Sequence, residues 1–182
     1  MTLLIIGVVL WIAAHFFKRV MPDARAKVGD KGKGVIALIL LVSIVLMVLG
    51  YRGADVIDVY DPPSWGLHAN NLLVLIAIFL MSPAPKKGRL FNGVRHPMLT
   101  GVRAWAIAHL LVNGDLASLI LFGGLFAWAL LEVPLINRAE PEWSPGEPGS
   151  FAKDGMFLVA SLVLMVVIGY IHSLVGPWPF PG

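Results

Sequence analysis

The sequence predicts an all-α protein, a polytopic membrane bundle of about six transmembrane helices, and three observations carry that expectation. The first is composition: of 182 residues, 58% are hydrophobic and only 14% charged, with a mean hydropathy of +0.81. Soluble domains run at roughly 45–50% apolar and about 25% charged. The second is length: six apolar runs recur, each near the ~20 residues that a helix needs to cross hydrocarbon. The third is where the cations fall, in alternate loops beside the runs. Spans of that length leave little chain over, so a single transmembrane domain over 1–182 is expected.

The first run, about 3–17, opens the chain. Lys18 and Arg19 follow it and no positive stretch precedes it, so it reads as a retained helix and not as a cleaved signal. Further runs occupy roughly 34–51, 66–83, 98–113, 116–136 and 156–175. Pro97 suits the first position of the fourth helix. The fourth and fifth runs are separated only by Asn113, Gly114 and Asp115, a turn signal that predicts a tight helical hairpin. The tract 138–155 is the one long polar loop, and its prolines and glycines argue against further helix there. No internal repeat or low-complexity tract is evident.

Charge orients the bundle. Loop one carries Lys18, Arg19, Arg25, Lys27, Lys31 and Lys33; loop three carries Lys86, Lys87, Arg89 and Arg95; loop five carries Arg138 and Lys153. On the other side loop two has Arg52 beside Asp55, Asp58 and Asp61, and loop four has no Lys or Arg. Loops one, three and five are therefore expected in the cytoplasm and both termini outside. The net charge of +3 needs no nucleic-acid partner, because the cations sit beside spans. The absence of cysteine excludes disulfides, thiolate metal sites and Cys nucleophiles.

Some polar residues do not suit a lipid-facing helix. Arg103 lies about two turns into the fourth helix, and a charge near the bilayer centre costs ~2.5–3.5 kcal/mol on insertion scales. It either snorkels to the inner headgroups or pairs with a carboxylate, from Glu132 or an acidic ligand. Glu132, near the inner end of the fifth helix, reads as an interfacial residue. All five histidines, His15, His68, His96, His109 and His172, fall in or next to spans. His68 and His172 sit at outer ends, where they can face water, and His96 precedes Pro97 at the start of its helix. His109 lies within an apolar helix with no nearby charge to explain it, and His15 is similar at the inner end of the first helix.

No H-x-x-x-H or E-x-x-H pair occurs, which speaks against a non-haem metal centre of clustered ligands. Isolated histidines on different helices are what a six-coordinate haem requires, with apolar and aromatic residues around the macrocycle. Trp11, Phe16, Trp105 and Trp128 are available for that lining. Depth opposes one pairing: His109 is about 12 residues, or ~18 Å, along its helix from Pro97, whereas His15 is near the inner end of its own. Either the helices shift, or His68 or His172 replaces His15.

The block "RHPMLTGVRAWAIAHLLVNGDLASLILFGGLFAWALLE" closely resembles the signature of the NnrU family of bacterial membrane proteins. The resemblance runs along the chain, through "AHFF" with its basic stretch, "PPSWGLH", and a last helix ending "IHSLVG". It implies a bacterial membrane protein associated with denitrification through nitrite and nitric oxide reduction; with the cation asymmetry, that makes the inner membrane the expected location and the termini periplasmic. The same block is similar to 15-cis-zeta-carotene isomerase, a membrane haem b enzyme of lipophilic substrates. That resemblance implies His15 and His109 as axial ligands of haem iron. From the residues themselves, Arg103, able to meet an acidic group of the cofactor, and Trp105, in the aromatic lining, join them as cofactor-binding candidates, with His68, His96 and His172 as secondary candidates. A cysteine of the isomerase falls at Ala106 here, which removes its thiolate-linked ligand switch. The "RHP-x-x-x-G" segment also resembles the S-adenosylmethionine loop of isoprenylcysteine methyltransferases, with Leu99 where those carry tyrosine. A non-enzymatic membrane assembly subunit is the third reading. Beyond the lipid bilayer, the partners implied are a lipophilic small molecule or a redox protein.

Overall fold

A computed structural model of the chain describes residues 1–29 and 31–181, and the side chain of Lys31 lies outside that description. It is all-helical. The six predicted runs fold as α1 (Thr2–Val20), α3 (Lys31–Arg52), α4 (Gly66–Met81), α6 (Pro97–Leu110), α7 (Leu116–Ala139) and α8 (Phe151–Ser173). Two short helices, α2 (Pro22–Lys27) and α5 (Ala84–Lys87), interrupt the first and third loops. Among the described residues the only β pairing is an isolated bridge between Asp58 and Asp115.

Four helices, α1, α3, α7 and α8, are long and apolar enough to cross a membrane. The other two fall short of the expected six full spans. With 16 and 14 residues, α4 and α6 reach about 24 and 21 Å at ~1.5 Å per residue, less than the ~30 Å of hydrocarbon. Proline fixes where α6 begins: Pro97 occupies its first position, with His96 as the capping residue. The polar tract 138–155 is shorter than expected, because Ser150 caps α8 by accepting from Lys153 N and starts the helix at Phe151.

The chain forms two compact units. The first comprises Met1–Asp61 and Asn113–Pro141, the second Pro62–Val112 and Glu142–Gly182. The turn at 113–115 falls at a unit boundary. Within its own unit each flanking helix has a packing partner, α4 for α6 and α1 for α7.

Small residues decide the pairings in both units. In the first, α1 and α3 meet through Gly7 and Gly50: a Cβ at Gly7 would stand 2.8 Å from Met47 N, and one at Gly50 would collide with the backbone of Leu4. Without a hydrophobic drive between helices in lipid, such close backbone approach is what holds a pair. In the second unit, α4 and α6 use Ala77, Gly101, Ala106 and Ala108, all buried. Their outer faces carry large exposed apolar side chains, as do α3 and α8, the pattern of lipid-facing helices.

Helix α7 is irregular. Its first turn is capped by Asp115, whose carboxylate accepts from Ser118 N and Ser118 Oγ; Tyr51 OH lies 2.8 Å from the same hydroxyl. Residues Leu119–Gly123 then form a π-helical turn, and Pro134 falls within the later helix. A π turn inserts one extra residue and so rotates the rest of the helix about its axis. The rotated part bears Trp128 and Glu132.

Candidate functional site

Two places gather the polar side chains, one in each unit, and both start from the same pentapeptide pattern. Residues 11–15 read "WIAAH" and residues 105–109 read "WAIAH". Each puts a Trp and a His one helical turn apart on one face. In both copies the His Nδ1 lies 2.9 Å from the Trp carbonyl oxygen, and the rings stack obliquely with centroids 4.4 and 4.8 Å apart. A carbonyl only accepts, so Nδ1 carries the proton in each, and the lone pair of the neutral ring is at Nε2. Metal-ligating histidines are oriented this way. This short repeat is legible in the sequence, yet it is too short to stand out as an internal duplication.

In the first unit the imidazole is flanked by indoles, and it also lines a cavity along α1, α2 and α3. His15 lies between Trp11 and Trp128, whose ring is 4.5 Å away, and the two indoles meet edge to face at 5.3 Å. One turn past Trp128 is Glu132, which is only 7% exposed and packs inside the unit, so it is no interfacial residue. Its Oε2 and the Nε1 atoms of Trp11 and Trp128 are buried without a hydrogen-bond partner among the described residues. Arg19, one turn past His15, donates to Glu140 Oε1 at 2.7 Å. The face of α1 that runs Trp11, His15, Arg19 thus lies along Trp128 and Glu132 of α7 and Glu140 just past its end.

In the second unit the imidazole opens on a cavity. His109 and Trp105 line a space of about 370 Å³ together with His172, Asn70, Gly169 and Phe180. Ligand pockets span ~300–1,000 Å³ and are mostly apolar with a few placed polar groups. Val74, Ile78, Met165 and Ile168 supply the apolar wall. His172, in the last turn of α8, has its own Nδ1 2.9 Å from Pro177 O, so its ring carries the same tautomer as His109. That bond folds the C-terminal tail back, and Phe180 seats on Gly169, where any Cβ would collide with its ring. Asn70 is buried beside the site; with its amide turned to satisfy both ends, it donates to Ala108 O at 3.0 Å and ties α4 to α6.

The other predicted residues fall outside this pair of clusters. Arg103 donates to Leu99 O and Thr100 Oγ1, both toward the start of α6, which is the snorkelling direction. His96 caps α6, its carbonyl accepting from Thr100 N and Oγ1. His68 is exposed in the first turn of α4. His15 and His109 belong to different units. Among the described residues no group of three or more His, Asp or Glu stands close enough together to hold a metal ion, so the four-ligand kind of metal site is not formed there. A second, more polar cavity of about 300 Å³ lies at the RHP segment, lined by Lys86, Asn92, Arg95 and Trp143, with the Arg95 guanidinium 6.0 Å above the Trp143 ring.

The family profile described as NnrU protein matches residues 3–179, nearly the whole chain and both units. No curated protein and no solved structure matches it.

Proposed function

The chain belongs to the NnrU family, and from that premise we propose that it is a haem b protein of the bacterial inner membrane, serving nitrite and nitric oxide reduction in denitrification or isomerase-like redox chemistry on a lipophilic substrate. One observation carries the reading: two imidazoles of the same tautomer, His109 and His172, line a single apolar cavity. The residues present fit a haem. Neutral imidazole is a favoured axial ligand, and an apolar wall with a neighbouring indole suits a macrocycle. When bound, the haem would supply one-electron redox chemistry, its potential set by ligand identity and burial.

The chain's own side chains do the rest. His109 and His172 are the residues that would hold the haem, and Trp105 O and Pro177 O orient their rings through Nδ1. The tail residues Pro179 and Phe180 supply part of the apolar lining of the cavity. Asn70 keeps α6, and with it His109, in register against α4. The pairing of His109 with His15 rests on the isomerase resemblance alone; the shared cavity favours His172.

The test is the absorption spectrum of protein purified from haem-replete cells. A low-spin six-coordinate spectrum is expected, and His109→Ala should lose haem or become five-coordinate; protein wholly without haem overturns the reading. The methyltransferase reading keeps one supporting observation, the polar cavity at the RHP segment. Haem-free protein that binds S-adenosylmethionine would move the proposal there. Orientation is tested separately, by reporter fusions at Gly66 and Gly114 for an outside signal and at Gly88 and Gly146 for an inside one. Swapped signals at both pairs overturn periplasmic termini.

A further inference from the structure

The first unit has a second feature that the haem reading does not use. Two adjoining cavities, of about 300 and 350 Å³, run along α1, α2 and α3 and share Ala14, Phe17, Arg25 and Ile36. Their chemistry is divided. The first is walled by Leu10, Val28, Val35 and Ile39, with Arg25 as its one charged lining residue. The second adds Lys18, Lys33 and His15 to Arg25. Among the described residues that line either cavity there is no Asp or Glu. The result is an apolar trough that ends in three cations.

Arg25 stands where the two halves meet, and its position is built. Its Nη1 donates to Gly29 O at 3.0 Å, and it lies against Gly32, where a Cβ would come within 3.0 Å of the same nitrogen. A guanidinium carries several N–H donors in a planar fork that matches phosphate oxygens, and this bond engages one. Gly32 thus makes room for a cation at the rim of an apolar trough.

We propose that this trough is a binding site for one anionic phospholipid, its acyl chain along Leu10, Val35 and Ile39 and its phosphodiester at Arg25, Lys18 and Lys33. Charge complementarity selects the headgroup: a zwitterionic lipid brings a cation of its own to a rim of cations, whereas an anionic one does not. The trough selects a lipid over a free ion, because inorganic phosphate leaves the apolar half unfilled. Each cation near a membrane surface contributes about fivefold in affinity for an anionic headgroup.

The experiment titrates the purified full-length protein with phosphatidylglycerol or phosphatidylcholine and counts bound lipids by native mass spectrometry. One phosphatidylglycerol should be retained in preference to phosphatidylcholine. Arg25→Gln should weaken that preference about fivefold, and adding Lys18→Gln and Lys33→Gln should abolish it, while Arg25→Lys keeps most of it. The thermal midpoint of each variant checks that it is folded. Equal retention of the two lipids, or phosphatidylglycerol retention unchanged in the triple variant, overturns the site. So does displacement of the lipid by inorganic phosphate alone at matched concentration, which would mean an ion site only. The haem spectrum is not part of this readout, so the two proposals fail independently.

Discussion

The two units carry the same Trp–His turn and put it to different uses. In the first, His15 is packed between two indoles beside a buried carboxylate; in the second, His109 faces a cavity with another imidazole. The local device is identical down to the 2.9 Å bond from Nδ1 to the Trp carbonyl. What differs is what the neighbouring helix presents. Helix α7 brings Trp128 and Glu132 against His15, whereas α8 brings His172 and Gly169 to the side of His109. A histidine in a membrane helix is therefore not a ligand by virtue of its own turn. The facing helix decides what the ring meets, an indole of α7 for His15 and a second imidazole across a cavity for His109.

The largest effect expected from this contrast is spectroscopic. His109→Ala and His172→Ala should each remove the low-spin signal, because a six-coordinate haem needs both imidazoles. His15→Ala should retain it, losing instead the packing between Trp11 and Trp128. His68→Ala and His96→Ala serve as controls and should leave the spectrum intact. A silent His172→Ala together with signal loss in His15→Ala would break the contrast and restore the pairing that the isomerase resemblance implies.

Much of the architecture is legible in the sequence. Apolar run length locates all six apolar helices, and composition yields the all-α membrane class, because both depend on local sequence alone. The short extents of α4 and α6 are less legible, since apolar residues such as Val112 continue past the point where the helix stops. The unit boundary at Asn113 is not legible: a turn signal states that the chain reverses, not which helix it will pack against. Of the site, His109 and Trp105 stand out as misplaced polar and aromatic residues. His172 cannot be separated from a water-facing histidine, because its partners are Pro177 and a tail folded back through Gly169. Glu132 reads as interfacial for a similar reason, since its burial depends on α1 and not on its own helix.

A second, smaller effect separates the units by what lies over their glycines. A Cβ at Gly50 would meet the backbone of Leu4, which has no room to yield; at Gly169 it would meet the ring of Phe180, on a tail near the chain end. Gly50→Leu should therefore cost about 3 kcal/mol or more in detergent unfolding, at the upper end of overpacking effects. Gly169→Leu should cost far less stability but displace the tail, seen as faster haem loss and as protease cleavage beyond Ser173. Gly34 has open space around it, so Gly34→Ala should leave packing unchanged and gain up to ~1 kcal/mol from helix propensity. Equal destabilisation by Gly50→Leu and Gly169→Leu would show that the tail is as fixed as the α1–α3 core.

The smallest effect tests the polar edge of the first unit. Arg19 and Glu140 form an ion pair at 2.7 Å, but the carboxylate side chain is 58% exposed and the guanidinium side chain 16%. Exposed pairs are worth ~0.2–1 kcal/mol and weaken with salt. Glu140→Gln should accordingly shift the unfolding free energy by no more than about 1 kcal/mol, and added salt should erase the difference. Arg19→Gln should cost more, because Arg19 also lies near enough to the buried Glu132 to act on its charge. Removing Arg19 takes away a cation that acts on that buried side chain; removing Glu140 leaves Arg19 in place. The two variants share one ion pair yet should differ, and the difference measures how far the inner carboxylate depends on the outer cation. Identical costs at low and high salt would show that Glu132 draws nothing from Arg19.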